Sequence, residues 1–177
     1  MSTFALPQKF QNWINKRNWG LHTHQIDVLT NSDRKSQLLI APTGSGKTLS
    51  GFLPTLIELD RVNFSGLHTV YVSPLKALAA DIKRNLMIPI EEMGLNIKVE
   101  DRTGDTTAKT KRRQRIDPPQ ILLTTPESLA LLISFPEANA LFANLERIII
   151  DEIHALVENK RGHQLLLAIS QIGRAHV

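Results

Sequence analysis

A chain of 177 residues has room for one domain with a full core, and hardly for two. Hydrophobic content of 42% and charged content of 21% are ordinary for a globular protein, and a formal charge of +4 permits a nucleic-acid partner without requiring one. The lack of cysteine excludes disulfides and thiolate metal sites, and no stretch nears the roughly 20 apolar residues of a membrane span, so the expected location is the cytoplasm.

Residues 4–19 carry Phe10, Trp13 and Ile14 at helical spacing, with Pro7 near the start, which predicts a helix packed through both tryptophans. His22-Thr23-His24-Gln25 leads into a second helical pattern through Ile26, Val28 and Leu29. His22 and His24 have no further ligand cluster and are not read as a metal site. Gln25 alone is most simply a surface residue, although its amide could pair with both N6 and N7 of adenine.

The apolar run 38–40 reads as a strand, followed by Ala41-Pro42-Thr43-Gly44-Ser45-Gly46-Lys47-Thr48 and a helix over 49–59. Strand, glycine-containing loop and helix form the context of a phosphate-binding loop. Gly44 and Gly46 let the backbone approach phosphate oxygens, and helix N-terminal amides point at the anion. Lys47 can reach the β- and γ-phosphates and the Thr48 hydroxyl can ligate Mg²⁺. Ala41 stands where the first Gly of the general pattern is usually written. A Gly/Ser loop that only caps a helix is the bland alternative; the expectation is a nucleoside triphosphate site.

Residues 67–72 read as a strand broken by Ser73-Pro74, 75–93 as a helix that Pro89 kinks or ends, and 97–101 as a strand. Arg102-Thr103-Gly104-Asp105-Thr106 is a loop in which Asp105 or Thr106 should cap the next helix. That helix is basic (Lys109, Lys111, Arg112, Arg113, Arg115), either a solvated face or a phosphate-contact surface. Ile121-Leu122-Leu123 is a buried strand, Pro126 sits in the first turn of a helix that Phe135-Pro136 closes, and Ile148-Ile149-Ile150 reads as a fully buried strand. An amphipathic helix covers 165–172, and Gly173 should break it. Five strands alternating with helices predict an α/β fold, a mainly parallel sheet with helices on both faces.

Ligands of such sheets sit beyond the carboxyl ends of the strands, so Lys47 and Asp151 should meet at one edge. Asp151 after a buried strand can hold Mg²⁺, and Glu152 can orient and deprotonate the attacking water. The alternative is that the two acids simply cap the following helix. A second carboxylate favours hydrolysis over a binding switch, and His154 either links the nucleotide site to another surface or only packs.

The ordered set Ala41 to Thr48, Ser73-Pro74-Leu75-Lys76, Thr124-Thr125-Pro126-Glu127-Ser128 and Asp151-Glu152-Ile153-His154 resembles the motifs of superfamily 2 DEXH-box helicases. Arg102-Thr103-Gly104-Asp105-Thr106 resembles the Lhr-like group, and the wording at Pro74 to Asp81 and Lys160-Arg161-Gly162 is similar to ligase-associated DEXH-box DNA helicases. The resemblance implies that residues 1–177 are the first RecA-like, P-loop NTPase lobe, with Lys47, Asp151 and Glu152 catalytic and Thr48 and Asp151 holding Mg²⁺. Gln25, Thr43, Gly44, Ser45, Gly46, Lys47 and Thr48 would then bind ATP. It further implies strand contacts from Ser73, Pro74, Leu75, Lys76, Gly104, Thr124, Thr125 and Pro126 to single-stranded DNA, and coupling through His154. A missing second lobe, a bacterial repair setting with a DNA ligase and a nuclease, and weak turnover by the lobe alone complete the expectation. Residues 172–177 read as a non-native tail following an apolar face at Leu165, Leu166, Leu167 and Ile169 that lacks part of its cover. A stand-alone nucleotide-gated binding module and a small-molecule phosphotransferase are the other classes; strand-contact motifs count against the latter.

Overall fold

The computed structural model describes residues 5–32, 34–42, 44–157 and 159–175. The chain divides into two compact units, Met1–Asn63 with Leu86–Asn96, and Phe64–Asn85 with Ile97–Val177.

In the first unit, α1 (Gln8–Lys16) starts after Pro7, whose fixed φ suits a helix entry, and buries Phe10, Trp13 and Ile14. Trp19, expected to pack, is half exposed; it meets Trp13 edge-on at 5.6 Å, and the Arg17 guanidinium lies 4.8 Å from its ring centre. Trp13 Nε1 donates to Glu92 Oε2 at 2.7 Å and Arg17 Nε to the same oxygen at 2.8 Å. Arg17 first and Trp13 second hold the Glu92 carboxyl below the usual range. α2 (Thr23–Thr30) is closed by a capping box between His22 and Gln25. α3 (Lys47–Arg61) runs through Pro54 and buries Phe52, Leu53, Leu56 and Ile57.

Residues 38–40 form no strand. Three apolar residues without periodicity suit a strand only when a neighbour supplies a ladder; here none does, and Leu38 and Ile40 remain 73% and 84% exposed.

The second unit holds a sheet of β1 (Thr69–Val72), β2 (Val99–Arg102), β3 (Ile121–Thr124) and β4 (Arg147–Ile150), in the order β2-β3-β1-β4 and parallel throughout. Both faces of β1 and β3 are buried, which explains their unbroken apolar sequence. β4 lies at the sheet edge and is half-buried along its length, so the expected full burial of Ile148 to Ile150 is not met. α6 (Pro126–Ile133), α7 (Ala138–Phe142) and α8 (Lys160–Ala175) pack on the Val70, Val72 and Leu122 face through Leu129, Leu132, Phe142, Leu165 and Ala168. Leu166 and Leu167 are exposed, whereas Leu165 is buried, so only part of that apolar stripe lacks cover.

α4 (Lys76–Glu92) spans the division between the units and continues one turn past Pro89 before Gly94, at φ +61°, ends it. α5 (Ala108–Ile116) is capped by Thr107, whose Oγ1 accepts from Thr110 N at 3.2 Å, not by Asp105 or Thr106. Thr106 Oγ1 instead accepts from Thr103 N at 3.0 Å and closes its own loop. Gly173 does not break α8, because a helix tolerates an isolated glycine at about 1 kcal/mol relative to alanine. Of the expected tail, His176 and Val177 lie outside the described residues.

Candidate nucleotide and strand-binding site

In the first unit the candidate site is the glycine loop ahead of α3. Gly44 and Gly46 have φ of +78° and +77°, a region costly for any residue with a Cβ. Gly46 is doubly constrained, since an added Cβ would sit 2.8 Å from Gln25 Nε2. Gln25 is therefore no surface residue. It is 4% exposed, its Oε1 accepts from His22 N at 2.9 Å, and its Nε2 donates to Gly46 O at 3.4 Å. A helix-start glutamine is thus tied directly to the turn it would serve.

Lys47 Nζ donates to Ala41 O at 2.8 Å and Pro42 O at 2.9 Å. Both acceptors are neutral, so an anionic phosphate would be a stronger partner for this ammonium. Ser45 Oγ donates to Pro42 O at 2.7 Å, and Thr48 lies in the first turn of α3, where backbone N–H groups lack helical partners. Thr43 lies outside the described residues.

In the second unit the candidate site is the carboxyl edge of the sheet. Val72 pairs in register with Thr124 and Ile150, and Arg102 with Thr124, so four strands end level. Each next segment is one that the sequence singled out: Ser73 to Lys76 after β1, Thr103 to Asp105 after β2, Thr125-Pro126 after β3 and Asp151-Glu152 after β4.

Asp151 is held from three sides. Its N–H donates to Val72 O at 3.0 Å, its Oδ1 accepts from Glu152 N at 2.9 Å, and its Oδ2 accepts from the Tyr71 hydroxyl. Tyr71 is 1% exposed, and burial first, then Asp151, pushes its phenol well above the ordinary range. The sequence reading missed Tyr71. The signal was its phase: it alternates with Val70 and Val72, so it faces the opposite side of β1.

Glu152 has φ +48° and ψ +43°, a left-handed conformation that costs an ordinary side chain about 1–2 kcal/mol. Strain at a paired carboxylate fits a functional turn. His154 sits in the following 3₁₀ turn, Ile153–Ala155, with its side chain 79% exposed and Nδ1 3.4 Å from Glu152 Oε2. Among the described residues no cluster of three His, Asp or Glu side chains could cage a metal by itself. A single carboxylate such as Asp151 suits a cation whose other ligands are phosphate oxygens and water.

Ser73 is buried, its N–H donates to Thr124 O at 3.0 Å, and its hydroxyl donates to Leu75 O at 3.2 Å. Thr124 Oγ1 donates to Arg102 O at 2.8 Å and is buried, so its hydroxyl holds neighbouring strand ends together. Thr125 Oγ1 caps α6 by accepting from Ser128 N at 3.4 Å, with Pro126 at the first helical position. Leu75, Lys76 and Gly104 are exposed. Lys76 Nζ lies 2.9 Å from both carboxylate oxygens of Asp105, an exposed pair of small net worth.

The basic helix sorts its charges. Lys111 Nζ donates to Gly104 O at 3.0 Å, Arg113 pairs with Glu100 and Asp117, and the Arg115 guanidinium lies 3.9 Å from the Phe135 ring centre. Lys109 and Arg112 are exposed. The sequence reading also missed the roles of Arg161 and Glu127, which form an ion pair between α8 and α6. Nothing in spacing could pair residues 34 apart.

The parallel sheet, the glycine loop at a helix start and the paired carboxylates after a strand define the RecA-like α/β fold of P-loop NTPases. The DEAD/DEAH box helicase family matches residues 22–176, and the chain belongs to that family. Helicases of the Lhr type are among the proteins it is similar to. It is 43% identical over 155 residues to the ATP-dependent helicase Lhr-Core of Methanocaldococcus jannaschii, covering 79% of this chain and 18% of that protein. It is 40% identical over 154 residues to the Lhr helicase/uracil glycosylase of Escherichia coli, covering 76% of this chain and 10% of that one. The structure of Mycobacterium smegmatis helicase Lhr bound to ssDNA and AMP-PNP superposes with a TM-score of 0.85 at 36% identity, over 95% of this chain and 23% of that one. The DEAD-box helicase Mss116, at 21% identity and a TM-score of 0.82, shares the fold. The chain spans less than a fifth of the length of the Methanocaldococcus jannaschii and Escherichia coli relatives and about a quarter of the Mycobacterium smegmatis one. No helix among the described residues is long and apolar enough to cross a membrane.

Proposed function

We propose that this chain is the ATP- and strand-binding first lobe of an ATP-dependent DNA helicase or translocase, working with a second RecA-like lobe. The observation that carries this reading is the level ending of four parallel strands, which sets the carboxylate pair and three candidate strand-contact loops along one edge. In this reading Gly44, Ser45, Gly46 and Lys47 cradle phosphates, Thr43 joins them, and Gln25 meets the adenine. Thr48 and Asp151 would hold Mg²⁺, which would supply charge neutralisation at the phosphates. Glu152 orients the attacking water and accepts its proton. Ser73 to Lys76, Gly104 and Thr124 to Pro126 hold the backbone of a single strand, mainly through backbone groups and Lys76, which positions the strand without reading its sequence. His154 relays nucleotide state.

Support for single-stranded DNA as partner comes from the similar Mycobacterium smegmatis Lhr, which is bound to ssDNA and AMP-PNP in its structure. A role in bacterial DNA repair beside a ligase and a nuclease, in the cytoplasm, rests on motif wording alone. A non-hydrolysable ATP analogue and a labelled oligo-dT, each titrated by fluorescence anisotropy, test the reading. Both should bind, Lys47→Ala should abolish the first, and strand affinity should fall with salt. Phosphate release should be negligible until a second lobe is supplied, because an arginine finger contributes roughly 10³–10⁵ in rate. A chain that binds neither ligand refutes it.

A further inference from the structure

We propose that Arg161 is a positioning residue that locks two of the strand-holding loops into one rigid unit, an inference that rests on the function just proposed. Arg161 stands in the first turn of α8, and its guanidinium reaches two separate loops. Nη2 donates to Pro74 O at 2.5 Å, in the turn after β1. Nε donates to Glu127 Oε1 and Nη2 to Glu127 Oε2 at 3.3 Å, in the first turn of α6 after β3. One planar fork thereby ties Ser73 to Lys76 to Thr125 to Ser128, which are about 50 residues apart in sequence.

The anchor of this fork is itself held. Asn159 Oδ1 accepts from Arg161 N at 3.0 Å and Gly162 N at 3.1 Å, while Asn159 Nδ2 donates to Ala155 O at 2.6 Å. Ala155 closes the 3₁₀ turn that follows Asp151-Glu152. A hydrogen-bonded path therefore runs from the carboxylate turn, through Asn159, to Arg161 and both loops. His154, by contrast, points largely to solvent.

Glu127 is ionised at neutral pH: burial acts most strongly and raises its carboxyl, but the Arg161 hydrogen bond and charge, its own backbone N–H and Thr125 together outweigh burial and hold it below the usual range. With its charge already matched by Glu127 and an N–H committed to Pro74 O, Arg161 is a brace and not a phosphate contact. A lysine could satisfy one partner but not both.

The test uses the whole 177-residue chain with Arg161→Ala, Arg161→Lys and Glu127→Gln. Amide hydrogen exchange should speed up at 73–78 and 125–130 together in Arg161→Ala, with the sheet unaffected. Oligo-dT affinity by fluorescence anisotropy should fall about tenfold in Arg161→Ala and Glu127→Gln, the size of a lost charge-assisted pair. Arg161→Lys should recover only part of it. The slope of log affinity against log salt should not change in any variant. A slope shallower by about 0.7 in Arg161→Ala would mean a direct phosphate contact and overturn the inference. Unchanged affinity in Arg161→Ala and Glu127→Gln, beside wild-type binding, overturns it alone. A wild-type chain that binds no strand overturns the functional reading and this inference with it.

Discussion

Gly162 gives the sharpest prediction, because it sits where a single carbon atom cannot be accommodated. A Cβ built there lies 1.9 Å from Leu156 O and 2.8 Å from Leu156 C, both backbone atoms that no rotamer change can move. Reaching ordinary contact requires the 156–162 turn to open by roughly 1.5 Å. Opening it strains or breaks the bonds that Gly162 N makes to Asn159 O at 3.1 Å and Asn159 Oδ1 at 3.1 Å. Overpacking costs about 1–3 kcal/mol and each lost hydrogen bond about 1 kcal/mol, against a helix-propensity gain of at most about 1 kcal/mol. The net expectation for Gly162→Ala is a loss of about 2–4 kcal/mol. At about 2–4 °C per kcal/mol for a chain of this size, the melting midpoint should fall by roughly 5–15 °C. Gly173, in the same helix, has nothing within 4 Å of an added Cβ. Gly173→Ala should therefore raise the midpoint by up to about 3 °C. Thermal melts followed by far-UV circular dichroism at one pH compare the three proteins. If Gly162→Ala melts at or above the parent, the steric argument is wrong.

The other predictions concern the site and its charges. Gly46→Ala combines a left-handed backbone with a Cβ 2.8 Å from Gln25 Nε2, so it should lower the melting midpoint and abolish nucleotide-analogue binding. Adding Gln25→Ala should relieve the steric part, and strict additivity in a double-mutant cycle would refute the contact. Tyr71 is the single tyrosine of the chain, and its phenol is raised above the ordinary value of about 10. The stability it contributes is full below about pH 10 and is lost as pH rises beyond it. Phenolate absorbance near 295 nm should therefore appear only with unfolding, and a titration near pH 10 in the folded chain would contradict this. Glu100 is held below the usual range: burial raises its carboxyl, but Gln114 Nε2 at 2.9 Å and the Arg113 pair outweigh it. Its contribution is present above about pH 4.3 and is lost as pH falls further, so Glu100→Gln should flatten the acid limb of stability against pH. An unchanged acid limb in denaturant melts would remove Glu100 from that role.

What the sequence determined by itself was local. Apolar runs flanked by turn residues placed β1, β2, β3 and β4 to within two residues, because strand propensity and breakers such as Ser73-Pro74 act over neighbouring positions. Pro126 in a first helical turn and the glycine loop ahead of a helix were legible for the same reason. The tertiary structure alone decided which of these elements found partners. Residues 38–40 looked as good a strand as Ile121 to Leu123, yet only the latter has ladders on both sides. Burial of Ile148 to Ile150 depended on β4 being an edge, which no local pattern encodes. Gln25 passed for a surface residue until its contact with Gly46, 21 positions away, was known. The bond of Tyr71 to Asp151 spans 80 positions and that of Arg161 to Pro74 spans 87. Such pairings depend on the register and order of strands, which are global properties of the sheet, whereas propensity and capping are properties of a few consecutive residues.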